Sequence, residues 1–118
     1  SDADAIPDTA VVEVSAGATL SVANGSEVIG ALRVDLLGAG TITRMTPGAN
    51  GAIYIVNASG SPTGWDIPLT ITALDNPADL KSWKLYADGV EQSGYVLRYD
   101  PVTGKLSFSA AGTVILIR

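Results

Sequence analysis

The sequence predicts an all-β fold. Short apolar-polar alternations recur about every 8 to 12 residues from Ala10 to Val56, and Gly or Asn stands in each gap between them. The 13 glycines and 6 prolines among 118 residues interrupt the chain too often for long helices. Sandwiches, barrels and β-solenoids share this pattern, and two architectures are expected. One is a short β-solenoid-like set of coils, of the parallel β-helix kind, followed by an antiparallel β-meander cap. The alternative is a two-sheet antiparallel β-sandwich.

Residues 1–9, with Asp2, Asp4, Asp8 and Pro7 and no periodicity, read as a flexible acidic arm before a single domain over 10–118. Strands are predicted at Ala10–Val14, Ala18–Val22, Val28–Leu32, Gly40–Arg44 and Ala52–Val56, so that 10–57 forms the solenoid-like part. Val12 and Val14 flank Glu13, Leu20 and Val22 flank Ser21, and Ile53 and Ile55 flank Tyr54. This period of two buries one face and leaves the other wet. The Ser15-Ala16-Gly17 step reads as a tight turn, because Gly readily takes positive φ.

Residues 68–118 carry hairpin signals instead. Asp88-Gly89 sits between alternating runs and suits a type I′ turn, and in YDPVTGK Pro101 and Gly104 suit a longer hairpin loop. Tyr95, Leu97 and Tyr99 share one face, and Leu106 and Phe108 point inward from the following strand. NPADLKS, 76–82, is expected to form at most one helical turn. TVILIR, at 113–118, is apolar on both faces and is expected to be a covered strand, because a free edge of that kind invites aggregation.

Composition excludes several function classes. The seven basic residues are scattered singly and the net charge is −5, so no stripe exists to neutralise nucleic-acid phosphates or an anionic membrane surface. No apolar run reaches the roughly 18 residues of a membrane span. With no His and no Cys, the chain has no imidazole acid/base, no Ser-His-Asp or Cys-His arrangement, no thiolate metal site and no disulfide. The acidic start SDADAIPD lacks the basic region of a signal peptide, so the chain is expected to be a mature or excised piece of a longer protein.

The stretch from Ile6 to Asn57 carries Val12, Val14, Gly17, Ala18, Thr19 and Leu20, then Ile29, Gly30 and Leu32, then Gly38, Gly40, Thr41 and Ile42. With these residues it resembles the passenger-type β-repeat segments of autotransporter-like, large secreted bacterial surface proteins. The resemblance covers less than half of the chain, and Arg33-Val34-Asp35 stands where those segments carry Gly and Ser. It implies stacked coils with Gly at corners and aliphatics inside, closed by a terminal cap.

The remaining candidates for chemistry are carboxylates and aromatics. Asp66, Asp75, Asp79, Asp88, Glu91 and Asp100 read as solvated turn residues rather than a catalytic pair. Asp2, Asp4 and Asp8 lack the Gly and distal Glu of an EF-hand. Trp83 and Tyr95 read as sheet packing. Trp65, in the loop SGSPTGWDIP, is either a plug over the core end or an exposed contact, and with Asp66 it forms the candidate ligand contact. Asn57-Ala58-Ser59 and Asn24-Gly25-Ser26 match the glycosylation pattern but read as turns.

The sequence therefore leads to a non-enzymatic structural or capping module of a secreted or surface-attached bacterial protein, located outside the cell or at its surface. Its expected partners are neighbouring domains of the same polypeptide, with no nucleic acid, no membrane insertion, no cofactor and no metal. The alternative is a carbohydrate-binding or adhesive module of a larger extracellular protein, its partner a surface polysaccharide met at Trp65 and Asp66.

Overall fold

A computed structural model of the chain describes residues 10–22 and 28–110. Over these residues the protein is all-β, in two mixed sheets of five strands each. The strands are β1 (Val11–Glu13), β2 (Thr19–Leu20), β3 (Val28–Asp35), β4 (Thr41–Ile42), β5 (Thr46–Val56), β6 (Thr70–Ile71), β7 (Lys84–Ala87), β8 (Val90–Glu91), β9 (Tyr95–Asp100) and β10 (Lys105–Ala110). Short 3-10 turns at Pro62–Gly64 and Pro77–Ser82 are the only helical pieces among the described residues, and neither can cross a membrane. The acidic arm, Asn24-Gly25-Ser26 and TVILIR lie outside the described residues.

Successive strands alternate between the sheets through β7. The first sheet runs β1-β3-β5-β7-β8 and the second β2-β4-β6-β10-β9. Within the first, β1, β3, β5 and β7 are parallel neighbours, and within the second so are β2, β4 and β6. β8 then turns back antiparallel on β7, β10 pairs antiparallel with β6, and β9 lies antiparallel on β10. Both predicted hairpins form. Asp88 and Gly89 take φ 47° and 86°, the left-handed pair that a type I′ turn demands, and Gly104 takes φ 75° in the loop to β10.

The period-two pattern places the core between the sheets. Val12, Leu32, Ile53 and Leu85 form one inward rung across the first sheet, and Leu20, Ile42 and Ile71 form another across the second. Ile42, Ile53, Ile55 and Ile71 are fully buried, and Leu97, Leu106 and Phe108 close the core from β9 and β10. Tyr95 and Tyr99 pack on this core, and the Tyr99 hydroxyl donates to the Ile71 carbonyl at 2.6 Å, tying the last hairpin to β6. Burial and the nearby Asp100 charge both hold the Tyr99 phenol above its ordinary pKa, so it keeps the proton it donates.

β5 begins at Thr46, six residues earlier than the alternation predicts, and runs through Pro47 and Gly48. The register against β3 shifts between Ile29 and Ala31, where β5 has three additional residues. Trp83 fills this irregularity. The Pro77–Ser82 turn delivers it, its indole N–H donates to the Gly48 carbonyl at 2.8 Å, and its ring lies where a Cβ on Gly51 would fall. Trp83 is thus core, as its sequence context suggests.

Candidate functional site

The outward side chains of the first sheet form a single in-register row. Glu13, Arg33, Tyr54, Tyr86 and Glu91 occupy successive strands β1, β3, β5, β7 and β8. Parallel pairing puts like positions one strand spacing apart, about 4.8 Å, so the two tyrosines must meet face to face. Their ring centroids are 5.1 Å apart with planes 20° from parallel. Arg33 Nε lies 3.7 Å from Glu13 Oε1, and both side chains are about half exposed (53% and 46%), which makes this a loose surface pair worth little to stability. A shallow groove of about 430 Å³ runs beside the row, lined by Val11, Glu13, Arg33, Tyr54, Val56 and Gly89.

Alongside the row, the C-terminal ends of β3, β5 and β7 are tied together by carboxylates acting as acceptors. Asp35 Oδ1 accepts from the Asn57 side-chain amide at 2.8 Å and from the Leu37 N–H at 2.9 Å. The Asn57 bond first, then the Leu37 N–H and the Arg33 charge, hold the Asp35 carboxyl below its ordinary pKa. Asp88 accepts the backbone N–H groups of Asn57 and Ala58 at 3.0 and 3.1 Å. Asn57 itself turns the corner at φ 57°, so the glycosylation-like triplet marks a turn, as its composition suggests.

Two further acids also serve geometry. Asp75 receives Arg44 through two nitrogens at 3.0 and 3.1 Å and the Thr46 hydroxyl at 3.2 Å, and Asp100 accepts the Val102 N–H at 2.9 Å. Among the described residues no three Asp or Glu side chains converge on a position that could hold a metal ion.

Trp65 and Asp66 lie elsewhere in the fold, at the loop following the Pro62–Gly64 turn. Trp65 is half-buried. Its ring meets Phe108 edge-on with centroids 5.9 Å apart, and its indole N–H donates to the Ser59 carbonyl at 2.6 Å. Asp66 beside it is exposed. The ring's polar handle and one edge are therefore already engaged within the protein.

Sequence reasoning puts Tyr54 on the outward face of its strand but does not bring it together with Tyr86. The available signal is their shared outward parity, in IYIV and KLYA, yet only the parallel register between β5 and β7 converts that parity into contact. Comparisons of the chain with protein-family models, with curated proteins and with solved structures return no match.

Proposed function

We propose that the chain is a non-enzymatic structural module that closes one end of a short β-solenoid in a secreted or surface-attached bacterial protein. The observation that carries this reading is the change of strand direction at one end. Two parallel ladders advance in step, β1-β3-β5-β7 and β2-β4-β6, and each is then overlaid by antiparallel strands, β8 on one and β10 with β9 on the other. A parallel ladder ends in an edge of unpaired backbone that invites another strand. A hairpin covers that edge locally and leaves a new one that is short, as β8 is, or charged, as β9 is with Arg98 and Asp100. Alternation of consecutive strands between sheets with parallel neighbours favours coils over an antiparallel sandwich, in which neighbouring strands run in opposite directions. The resemblance of residues 6–57 to passenger-type repeats points the same way.

A cap is transferable. Joining residues 46–118, the last parallel strands with their hairpins, to the final coil of a solenoid stripped of its own cap should keep that protein monomeric in size-exclusion chromatography with light scattering. The same fusion lacking 93–118 should associate. Equal aggregation of the two fusions would remove the capping reading.

A second reading, carbohydrate binding, is favoured by the groove lined by Tyr54, where an aromatic surface adjoins both a cation, Arg33, and an anion, Glu13. Sugar rings offer apolar faces to aromatic rings and hydroxyls to charged groups. In polysaccharide pull-downs, Tyr54→Ala should weaken binding about tenfold, the scale of one lost aromatic contact. Trp65→Ala tests the loop instead. Retention by neither protein nor variant across a broad panel would dismiss the glycan reading.

A further inference from the structure

The end of the molecule opposite the hairpins is built differently. β1 and β2 are the outermost strands of their sheets, and among the described residues no strand pairs with their outer sides. One strand deeper the inward rungs are sealed, with Leu32 at 1% and Ile42 at 0% exposure. Their rung mates at the end, Val12 and Leu20, are only half-buried. Between β1 and β2 a groove of about 290 Å³ opens, lined by Val12, Val14, Ala18 and Leu20. On the outer face, among the described residues, Glu13 meets a cation on one side only, the loosely held Arg33 on β3.

We infer that this end receives a further parallel β-coil from a neighbouring module, an inference that rests on the capping reading. The rungs specify the partner. A strand added over β1 must place an aliphatic side chain above Val12, because the position faces the core, and a Lys or Arg above Glu13, because an acid directly opposite would repel it. A strand added over β2 must place an aliphatic residue above Leu20 and a small hydroxyl above Thr19, extending the column Thr19, Thr41, Thr70. Parallel entry follows because a coil continues both ladders at once, at the spacing they already have.

The chain itself contains a segment with this pattern. Residues 28–44 carry Leu32 and Ile42 inward, Arg33 outward and Thr41 on the hydroxyl column. A second copy of 28–44 placed before Ser1 of the full chain, with 1–9 as the connection, therefore supplies a test coil. Hydrogen exchange at Val11–Glu13 and Thr19–Leu20 should slow by about tenfold or more in this protein, as edge amides become ladder amides. A scrambled copy should leave exchange unchanged, and Arg33→Glu within the copy should reduce the protection, because it sets an acid directly opposite Glu13. Exchange at β3 and β5 reports independently that the parent fold is intact.

Two results would overturn the inference. One is exchange at Val11–Glu13 in the parent chain already as slow as in β3, which would mean that the edge is covered by the chain's own residues. The other is unchanged exchange on adding the coil while β3 and β5 stay protected. Failure of the capping reading would show at the β8 and β9 end, which this measurement leaves untouched.

Discussion

Trp83→Ala should lower the unfolding free energy by about 3–5 kcal/mol, a large part of what a domain of this size possesses. The side chain is 4% exposed, so its removal leaves a cavity rather than a wetted surface. The loss has a polar component too. The Gly48 carbonyl, which accepts the indole N–H at 2.8 Å, would lose its partner. Because Gly48 is only half-buried, that loss costs less than the about 1–3 kcal/mol of a fully buried unsatisfied acceptor. Urea unfolding followed by circular dichroism is the direct measurement. The midpoint should fall with the slope unchanged, since the surface exposed on unfolding is nearly the same. Trp83→Phe should fall between the two, because it restores most of the packing and none of the hydrogen bond. A midpoint for Trp83→Ala close to that of the parent would mean that the β5 irregularity collapses without cost and does not depend on the indole.

Gly40→Ala is the second large effect, and its cause is contact between backbones. A Cβ on Gly40 would run into the Ala18 carbonyl and would lie 2.6 Å from both the Ser15 carbonyl and Val14 Cγ1. The two carbonyls belong to the backbone and cannot swing away as a side chain tip can. The Ser15 carbonyl accepts from Ala18, the Val14 carbonyl from Gly40 and the Ala18 carbonyl from Thr41, all at 2.9 to 3.0 Å. Relief therefore means separating β1 and β2 from β4, with an expected cost of about 3 kcal/mol, the upper part of the overpacking range. Amide exchange gives the sharper readout. Residues 10–22 should lose protection while β5 and β7 keep theirs. Gly64→Ala is the control, since nothing lies within 4 Å of its Cβ. Similar losses for the two variants would show that the close approach at Gly40 is not what limits the spacing.

The two variants fail for different reasons, and the difference mirrors what a linear sequence can disclose. Gly40 belongs to a local pattern, a Gly before a Thr-Ile strand, and its place at a corner is readable. That its Cα lies beneath the 15–18 turn depends on a strand more than twenty residues earlier. Trp83 reads as sheet packing from its neighbours, but its partner, the bulged segment around Gly48 and Gly51, breaks the period-two pattern that locates strands. This is also why β5 begins earlier than the alternation predicts.

The candidate site divides in the same way. Tyr54 is legible as an outward residue of an amphipathic strand, whereas its stacking on Tyr86 is not, because the two are separated by a short strand and two 3-10 turns. Trp65 in its Gly-Ser-Pro loop admits two roles from sequence. The Phe108 contact and the bond to Ser59 put its ring against the core, and they leave the proposed ligand contact to rest on its exposed part and on Asp66.

The sequence by itself determined the all-β class, the inward set Val14, Ile53, Ile55, Leu106 and Phe108, the positive-φ turn at Asp88-Gly89 and the αL glycine at Gly104. Each follows from side-chain parity or from steric limits on φ, which act over a few neighbouring residues. Tertiary structure alone decided that strands β1 to β6 alternate between two sheets, that their neighbours run parallel, and that Glu13, Arg33, Tyr54, Tyr86 and Glu91 form one row. Any of these strands can pair on either edge and in either direction at similar local cost. The choice is made by the fit of whole rungs across the core, and no short stretch of sequence contains that fit.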